Sequence, residues 1–450
     1  MPHPASGGGR VGIATQIIDK LAFGGSGVCR MDGKVCFVPF SCPGDEVRLK
    51  VVTEKRSYLT AELADLAVPS PWRVEPCCPL FGRCGGCNWQ HIAYEKQCAE
   101  KLQIHREALW RGARVEPAVV GEIMPSPQSY HYRSRVQLKL HAAREGLHIG
   151  FYRSGSHFVV DAPLGCPIAA PLINEVLLRL RQVLATFPEP AALPQIDIDC
   201  GDNGAVAVVH YIGNAPDSAA TFFRLAFAEL APLSGILLQT GRKSTLRPIC
   251  GTRVIRYGMP TGSGAVDLEC APGGFSQVNR PQNHTLLSLV RQMGAFSGRE
   301  RLLDLYCGNG NFSIPLAHDV ASVVGIEGYE ESINAARENC RKNAVNNAEF
   351  RCDDVARGIG RLLTEKRPFD CVLLDPPRAG AAEAIDALAV LAPERIIYVS
   401  CDSSTLSRDC GLLAGQGYRV ERSVPVDMFP QTYHLESVTL LAKYSREEQS

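Results

Sequence analysis

A thiol stands at the junction of two patterns in Arg395–Asp409, RIIYVSCDSSTLSRD. Ile396 to Val399 form the apolar, β-branched run of a buried strand, and Ser400 to Ser404 supply the hydroxyls and carboxylate that favour a turn and a helix N-cap. Cys401 is therefore expected at a strand's C-terminal end, the edge where open α/β sheets bind ligands. The positive end of the following helix should favour its thiolate. A thiol so placed can attack an electrophilic carbon; a buried structural cysteine is the plain alternative.

A second group of thiols lies in Cys77-Cys78-Pro79-Leu80-Phe81-Gly82-Arg83-Cys84-Gly85-Gly86-Cys87. Cys78, Cys84 and Cys87, separated by five and then two residues, can converge on one centre because glycine lets the loop wrap tightly. Cys166, in Leu164-Gly165-Cys166-Pro167, is the best remote candidate for a fourth ligand. Four thiolates suit zinc or a [4Fe–4S] cluster, and uneven spacing with a distant fourth cysteine favours iron–sulfur.

The elements that would position Cys401 alternate between strand and helix from about Pro272. Leu302–Leu305 runs into Tyr306-Cys307-Gly308-Asn309-Gly310-Asn311 and then a helix. The next strand, Ala321–Ile326, ends at Glu327, seventeen residues past Gly310, where a carboxylate can take both hydroxyls of a ribose. Glu349–Cys352 ends at Asp353-Asp354, and Phe369–Leu374 at Asp375-Pro376-Pro377-Arg378. Strands ending in polar residues at one edge describe a doubly wound nucleotide-binding domain. A dehydrogenase needs a full G-x-G-x-x-G against a pyrophosphate, and Phe312-Ser313 stands where its last glycine should come. An S-adenosylmethionine enzyme needs no pyrophosphate site, and Glu327, Asp354 and Asp375 supply polar groups for its donor.

The remaining bounds are broad. A chain of 450 residues predicts more than one domain. With no apolar run of membrane length and no secretory signal in MPHPASGGGR, a soluble cytoplasmic protein without membrane association is expected. Eighteen cysteines there point to metal, catalysis or buried thiols rather than disulfides. The 47 basic and 47 acidic residues balance, but residues 101–160 hold nine Lys/Arg and five His against four Glu, a basic face suited to nucleic acid. Tyr130, Tyr132, Arg133 and Arg135 interleave rings and charges there.

Residues 11–64 read as the short, glycine-punctuated strands of a small β-barrel, with Lys50, Lys55, Arg56 and Tyr58 as candidate RNA contacts. Through Gly25–Val28, Phe37–Phe40 and Pro43–Val47 this stretch resembles a TRAM domain. Residues 90–265 read as a mixed α+β region. The expected architecture is a multidomain α/β chain: a TRAM- or OB-like barrel at 1–68, an iron–sulfur loop and central RNA-binding α+β domain at 69–270, and a Rossmann-like class I methyltransferase at 271–450.

Over nearly its whole length, and most strongly at Cys78–Cys87 and from Phe275 onward, the chain resembles the RNA uracil-5-methyltransferases, in the branch with a TRAM domain and a [4Fe–4S] cluster that includes the 23S ribosomal RNA enzymes. That resemblance implies S-adenosylmethionine contacts at Gln277, Tyr306, Asn311, Glu327, Asp354 and Asp375. It implies Cys401 as nucleophile, Glu436 in His434-Leu435-Glu436-Ser437-Val438 as base, and a monomer acting on 23S rRNA. Transfer RNA as substrate, or a non-catalytic iron–sulfur RNA-binding protein, are the alternatives. The family usually follows its nucleophile with Asn-Pro; here Asp402-Ser403 follows, and a carboxylate beside the thiol should disfavour the thiolate. The chemistry has its own logic. Carbon 5 of uracil is a poor nucleophile until a thiolate adds to carbon 6, after which a base must remove the carbon-5 proton.

Overall fold

The computed structural model describes residues 15–241, 245–274 and 276–444. The start of the expected strand Val11–Ile18, and Phe275, lie outside the described residues. Among these residues no helix is long and apolar enough to cross a membrane.

The N-terminal runs pair into a six-stranded sheet in the order Gln16–Ile17, Glu46–Glu54, Tyr58–Val68, Lys34–Val38, Gly27–Met31, Lys20–Leu21. Alternation sets its faces: Val47 and Leu49 are fully buried while Arg48 and Lys50 are exposed. Lys55, Arg56 and Tyr58 are also exposed, so the expected basic and aromatic surface exists.

A central seven-stranded sheet runs from Arg247–Gly251 through Leu233–Gln239, Gly204–His210, Gln195–Gly201, Arg135–Ala143 and Gly146–Tyr152 to Val159–Asp161. Helices Pro171–Leu184 and Pro216–Leu225 cover one face. On the other, Val206 and Val208 pack with the hairpin strands Ile255–Pro260 and Ala265–Cys270. Of the expected Tyr130–Arg135 surface, Tyr132 is buried and Tyr130, Arg133 and Arg135 are half-buried. Tyr132 is buried and donates its hydroxyl to the Pro430 carbonyl at 3.1 Å, and Arg135 pairs with Asp199 at 3.2 Å. Lys101 and His105, counted in the basic face, are also buried.

The third sheet carries the strand ends singled out above. Its strands, numbered in chain order within the sheet, lie 3-2-1-4-5-7-6: Ala348–Cys352, Ser322–Glu327, Arg301–Leu305, Cys371–Leu374, Arg395–Ser400, Glu436–Lys443, Tyr418–Val426. The first five are mutually parallel. Continuous apolar runs such as Cys371–Leu374 suit them because both faces are covered. Ile397 and Val399 pack with helix Arg280–Gly294, while Ile396 and Tyr398 face the opposite core with helix Ser403–Gly415. Helix Tyr94–Ala113 lies against Ser403–Gly415 and sends Leu102 and Leu109 into that same core. Strand Glu436–Lys443 is antiparallel and inserts beside Arg395–Ser400, an arrangement that the strand pattern does not announce.

Candidate active site

Ser400 pairs with Ser437 across the antiparallel strands, so the next residue of one and the preceding residue of the other, Cys401 and Glu436, lie side by side at the sheet edge. Asp375 follows the neighbouring parallel strand and reaches the same edge. Cys401 is half-buried and Glu436 buried. Burial pushes the Cys401 thiol up to about 12, with Glu436 and then Asp375 adding to the effect and Arg378 opposing it. The expectation that the helix end yields a ready thiolate is therefore corrected: desolvation and two carboxyls outweigh it in the free enzyme. Asp402 is the smallest of these contributors. Its carboxylate caps helix Ser403–Gly415, accepting from Ser404 N at 2.8 Å and Thr405 N at 3.1 Å, a contact worth about 0.5–2 kcal/mol. Glu436 is held well above the usual carboxylate range by burial and by Asp375, again opposed by Arg378. Burial raises Asp375 to about 7.

The glycine turn forms the neighbouring half of the site. Tyr306 adopts φ +62°, and among the described residues its buried hydroxyl has no hydrogen-bond partner. Gly310 sits at φ +88°, where a Cβ would come within 2.6 Å of Ile314, so a side chain would displace the turn. Beyond the turn, Ser313 donates its hydroxyl to buried Asp304. Glu327 accepts from Gly308 N at 3.3 Å and Tyr329 N at 2.9 Å. Asp354 is exposed and caps helix Val355–Thr364 through Arg357 N, yet lies near enough to Tyr306 to help burial raise the phenol. Asn311 makes a reciprocal amide pair with Asn283 at 2.8 and 3.0 Å, and Asn283 lines one small cavity with buried Gln277. Tyr306 and Asn311 thus lie on this turn and Glu327, Asp354 and Asp375 at strand ends, while Gln277 connects to Asn311 only through the cavity it shares with Asn283. A buried phenol without a partner among the described residues, beside the Glu327 carboxylate, fits a polar ligand.

Some distance off, Cys78, Cys84, Cys87 and Cys166 line a single cavity of about 470 Å³. Burial pushes the Cys87 thiol up to about 12, with further upward contributions from Cys166, Cys84 and Cys78. Gly85 is required because a Cβ would stand 3.0 Å from Ser154 N. Asn174 brackets Cys166, accepting from its N–H at 2.8 Å and donating to its carbonyl at 3.0 Å. Among the described residues no three His, Cys, Asp or Glu converge closely enough for a single metal ion. Four soft thiols lining one cavity are a donor set that suits either zinc or an iron–sulfur cluster.

Residues near the site that motif reading passed over come from helix Tyr94–Ala113. Lys101 donates to Asp427 at 2.6 Å, with both side chains fully buried. Breaking such a pair by removing one partner costs about 3–5 kcal/mol. His105 bridges Ser403 and Ser423 at 2.8 and 2.9 Å. Gln97, Lys101 and His105 recur every fourth residue on one face. That regular polar stripe was the available signal.

The doubly wound order with its polar strand ends and glycine turn defines a class I methyltransferase. The family described as tRNA (uracil-5-)-methyltransferase matches residues 93–444, and the TRAM domain matches residues 17–64. The chain is 35% identical over 435 residues, 95% of its length and 99% of the relative's, to the 23S rRNA (uracil(1939)-C(5))-methyltransferase RlmD of Thiobacillus denitrificans. It is likewise 35% identical to the protein of that name from Alkalilimnicola ehrlichii, covering 96% of each chain. Its fold matches the crystal structure of Pyrococcus abyssi tRNA (uracil-54, C5)-methyltransferase in complex with S-adenosyl-L-homocysteine, with a TM-score of 0.73, 27% identity, and coverage of 95% and 100% of the two chains. The chain belongs to the RNA uracil-5-methyltransferase family, with an N-terminal TRAM domain.

Proposed function

We propose that this chain methylates carbon 5 of a uridine in 23S ribosomal RNA, with S-adenosylmethionine as donor, through a covalent bond between Cys401 and carbon 6. The observation that carries the reading is the Ser400–Ser437 register, which sets a thiol and a buried carboxyl side by side next to Asp375. In this reading the Cys401 thiol first loses its proton to solvent, the thiolate sulfur then bonds to carbon 6 as the carbon 5–carbon 6 π electrons shift into an enolate, and Arg378 stabilises the negative charge. Carbon 5 of the resulting enolate takes the methyl group, and the electrons of the broken methyl–sulfonium bond stay on the donor's sulfur. Glu436 as carboxylate then removes the carbon-5 proton, and the carbon–sulfur electrons return to Cys401 as the adduct opens. Gln277, Tyr306, Asn311, Glu327, Asp354 and Asp375 hold the donor, with Glu327 on its ribose.

The target base must leave any stack to meet the thiol. A cleft of about 690 Å³ between the barrel and helices Tyr94–Ala113 and Ser403–Gly415 offers Arg30, Phe23 and Phe37 to the flanking strand, while its Lys20 and Arg111 are paired with Glu107 and its Arg408 with Asp409. The ribosomal substrate is supported by the 35% identical relatives named for it. The test is methyl transfer to unmodified 23S rRNA and tRNA transcripts, followed by nucleoside analysis. 5-Methyluridine in 23S rRNA is expected, and Glu327→Ala should require about tenfold more donor. Methylation of tRNA alone, or of a base amino group, would overturn the reading.

Cys78, Cys84, Cys87 and Cys166 in turn are proposed to hold a [4Fe–4S] cluster, which would supply a structural crosslink between the Cys78–Cys87 loop and the Cys166 turn. Anaerobically purified protein should be brown and contain about four irons and four sulfides per chain. Stoichiometric zinc without iron would contradict it.

A further inference from the structure

Gln431 is a non-glycine residue at φ +69°, a conformation that persists only where its surroundings over-determine it. They do. Its N–H donates to Gln97 Oε1 at 3.0 Å, its Oε1 accepts from Gln97 Nε2 at 3.0 Å, and its carbonyl accepts from the Asn88 and Trp89 amides at 3.0 and 3.1 Å. Gln431 lies five residues before Glu436, in the segment that delivers that carboxyl to the site. One turn along the same helix, Lys101 donates to Asp427 at 2.6 Å and to the Phe429 carbonyl at 3.1 Å, fixing the segment's other end. A further turn on, His105 bonds Ser403, two residues past Cys401, and Ser423, whose hydroxyl meets Thr439 on the strand that Glu436 begins, at 2.8 Å.

A single straight helix thereby references both reacting groups to itself, the thiol through Ser403 and the carboxyl through the 427–431 segment. Ordinary folding needs would be met by an apolar stripe, which this helix also carries in Leu102 and Leu109. We propose that Gln97 and Lys101 are positioning residues for the methylation reaction: they fix the Asp427–Gln431 segment so that Glu436 reaches the carbon-5 proton of the adduct. The inference rests on the reading of Glu436 as the base. Its consequence is selective. Glu436 is the first residue of its strand, paired to Val426 across the loop that the tethers hold, so loosening that loop frees this strand end while Cys401 keeps its place, and attack and methyl transfer proceed while proton removal slows.

The test uses the full-length protein with substrate RNA carrying tritium at uracil carbon 5, comparing methyl incorporation with tritium release in a single turnover. Gln97→Leu removes the contacts to Gln431 at similar volume. Lys101→Met paired with Asp427→Asn removes the second tether without stranding a buried charge. Both should keep methyl incorporation within about threefold while slowing tritium release about tenfold or more, the scale of ångström misplacement. Methylated adduct should accumulate on denaturing gels. A merely structural role would lower both rates together with no adduct, and that result, or unchanged rates in both variants, would overturn the proposal. Glu436→Gln runs alongside. If it too yields no adduct, the assignment of Glu436 as base has failed, and the positioning role fails with it; if it traps adduct and the tether variants do not, the positioning role alone is wrong.

Discussion

Cys401→Ala is expected to abolish methyl transfer, a fall of on the order of 10⁴-fold or more, and to form no protein–RNA adduct under denaturing conditions. Nucleophilic addition supplies what the donor cannot, a carbon 5 electron-rich enough to attack a methyl sulfonium. Cys401 stands half-buried at a strand end rather than in a packed core, so alanine removes the reacting atom without opening a large cavity. Comparable thermal melting of the two proteins would confirm that chemistry and not folding was lost. Sustained methylation by the variant would shift attention to Asp375-Pro-Pro-Arg378 as the motif of an amino-group methyltransferase, which needs no thiol.

The opposite phenotype is expected at the base. Glu436→Gln should methylate once and then stall, accumulating a covalent methylated complex while turnover falls by about 10²–10⁴-fold, the usual weight of general-base catalysis. Glutamine keeps the shape and cannot take the proton. The pH dependence follows in sign. A thiol raised above its ordinary value is protonated near neutrality and attacks only after losing that proton, so the trapping rate should climb as pH rises through the neutral range. Wild-type turnover should climb as well, because burial and Asp375 keep Glu436 protonated to higher pH than an ordinary carboxylate. A trapping rate that falls with rising pH would contradict this assignment of charges.

What was legible in the sequence was local. The run Leu302–Leu305 into Gly308 and Gly310, the acid ending Ser322–Glu327 and the thiol ending Arg395–Ser400 each follow from short-range pattern, because a buried parallel strand and the turn after it are written in adjacent residues. Asp402 shows the limit of such reading. The N-cap expected of it forms, whereas its charge, also read as a brake on the thiol, is the smallest contributor there, a ranking that depends on where its carboxylate points. Non-local pairing stayed hidden. That Glu436 lies beside Cys401 depends on the last strand inserting antiparallel between the fifth and sixth, and Lys101 finds Asp427 across 326 residues. The basic count over residues 101–160 also took in Lys101 and His105, which are buried, because charge counts cannot tell an exposed Lys from one buried against an Asp.

The covalent step is tested most directly by mapping the adduct. Glu436→Gln protein incubated with 23S rRNA fragment and S-adenosylmethionine, then digested with protease and nuclease, should yield one modified peptide by mass spectrometry. That peptide should contain Cys401 carrying a uridine nucleotide heavier by one methyl group. Attachment at another residue, or methylated RNA released freely with Cys401 unmodified throughout, would contradict the mechanism.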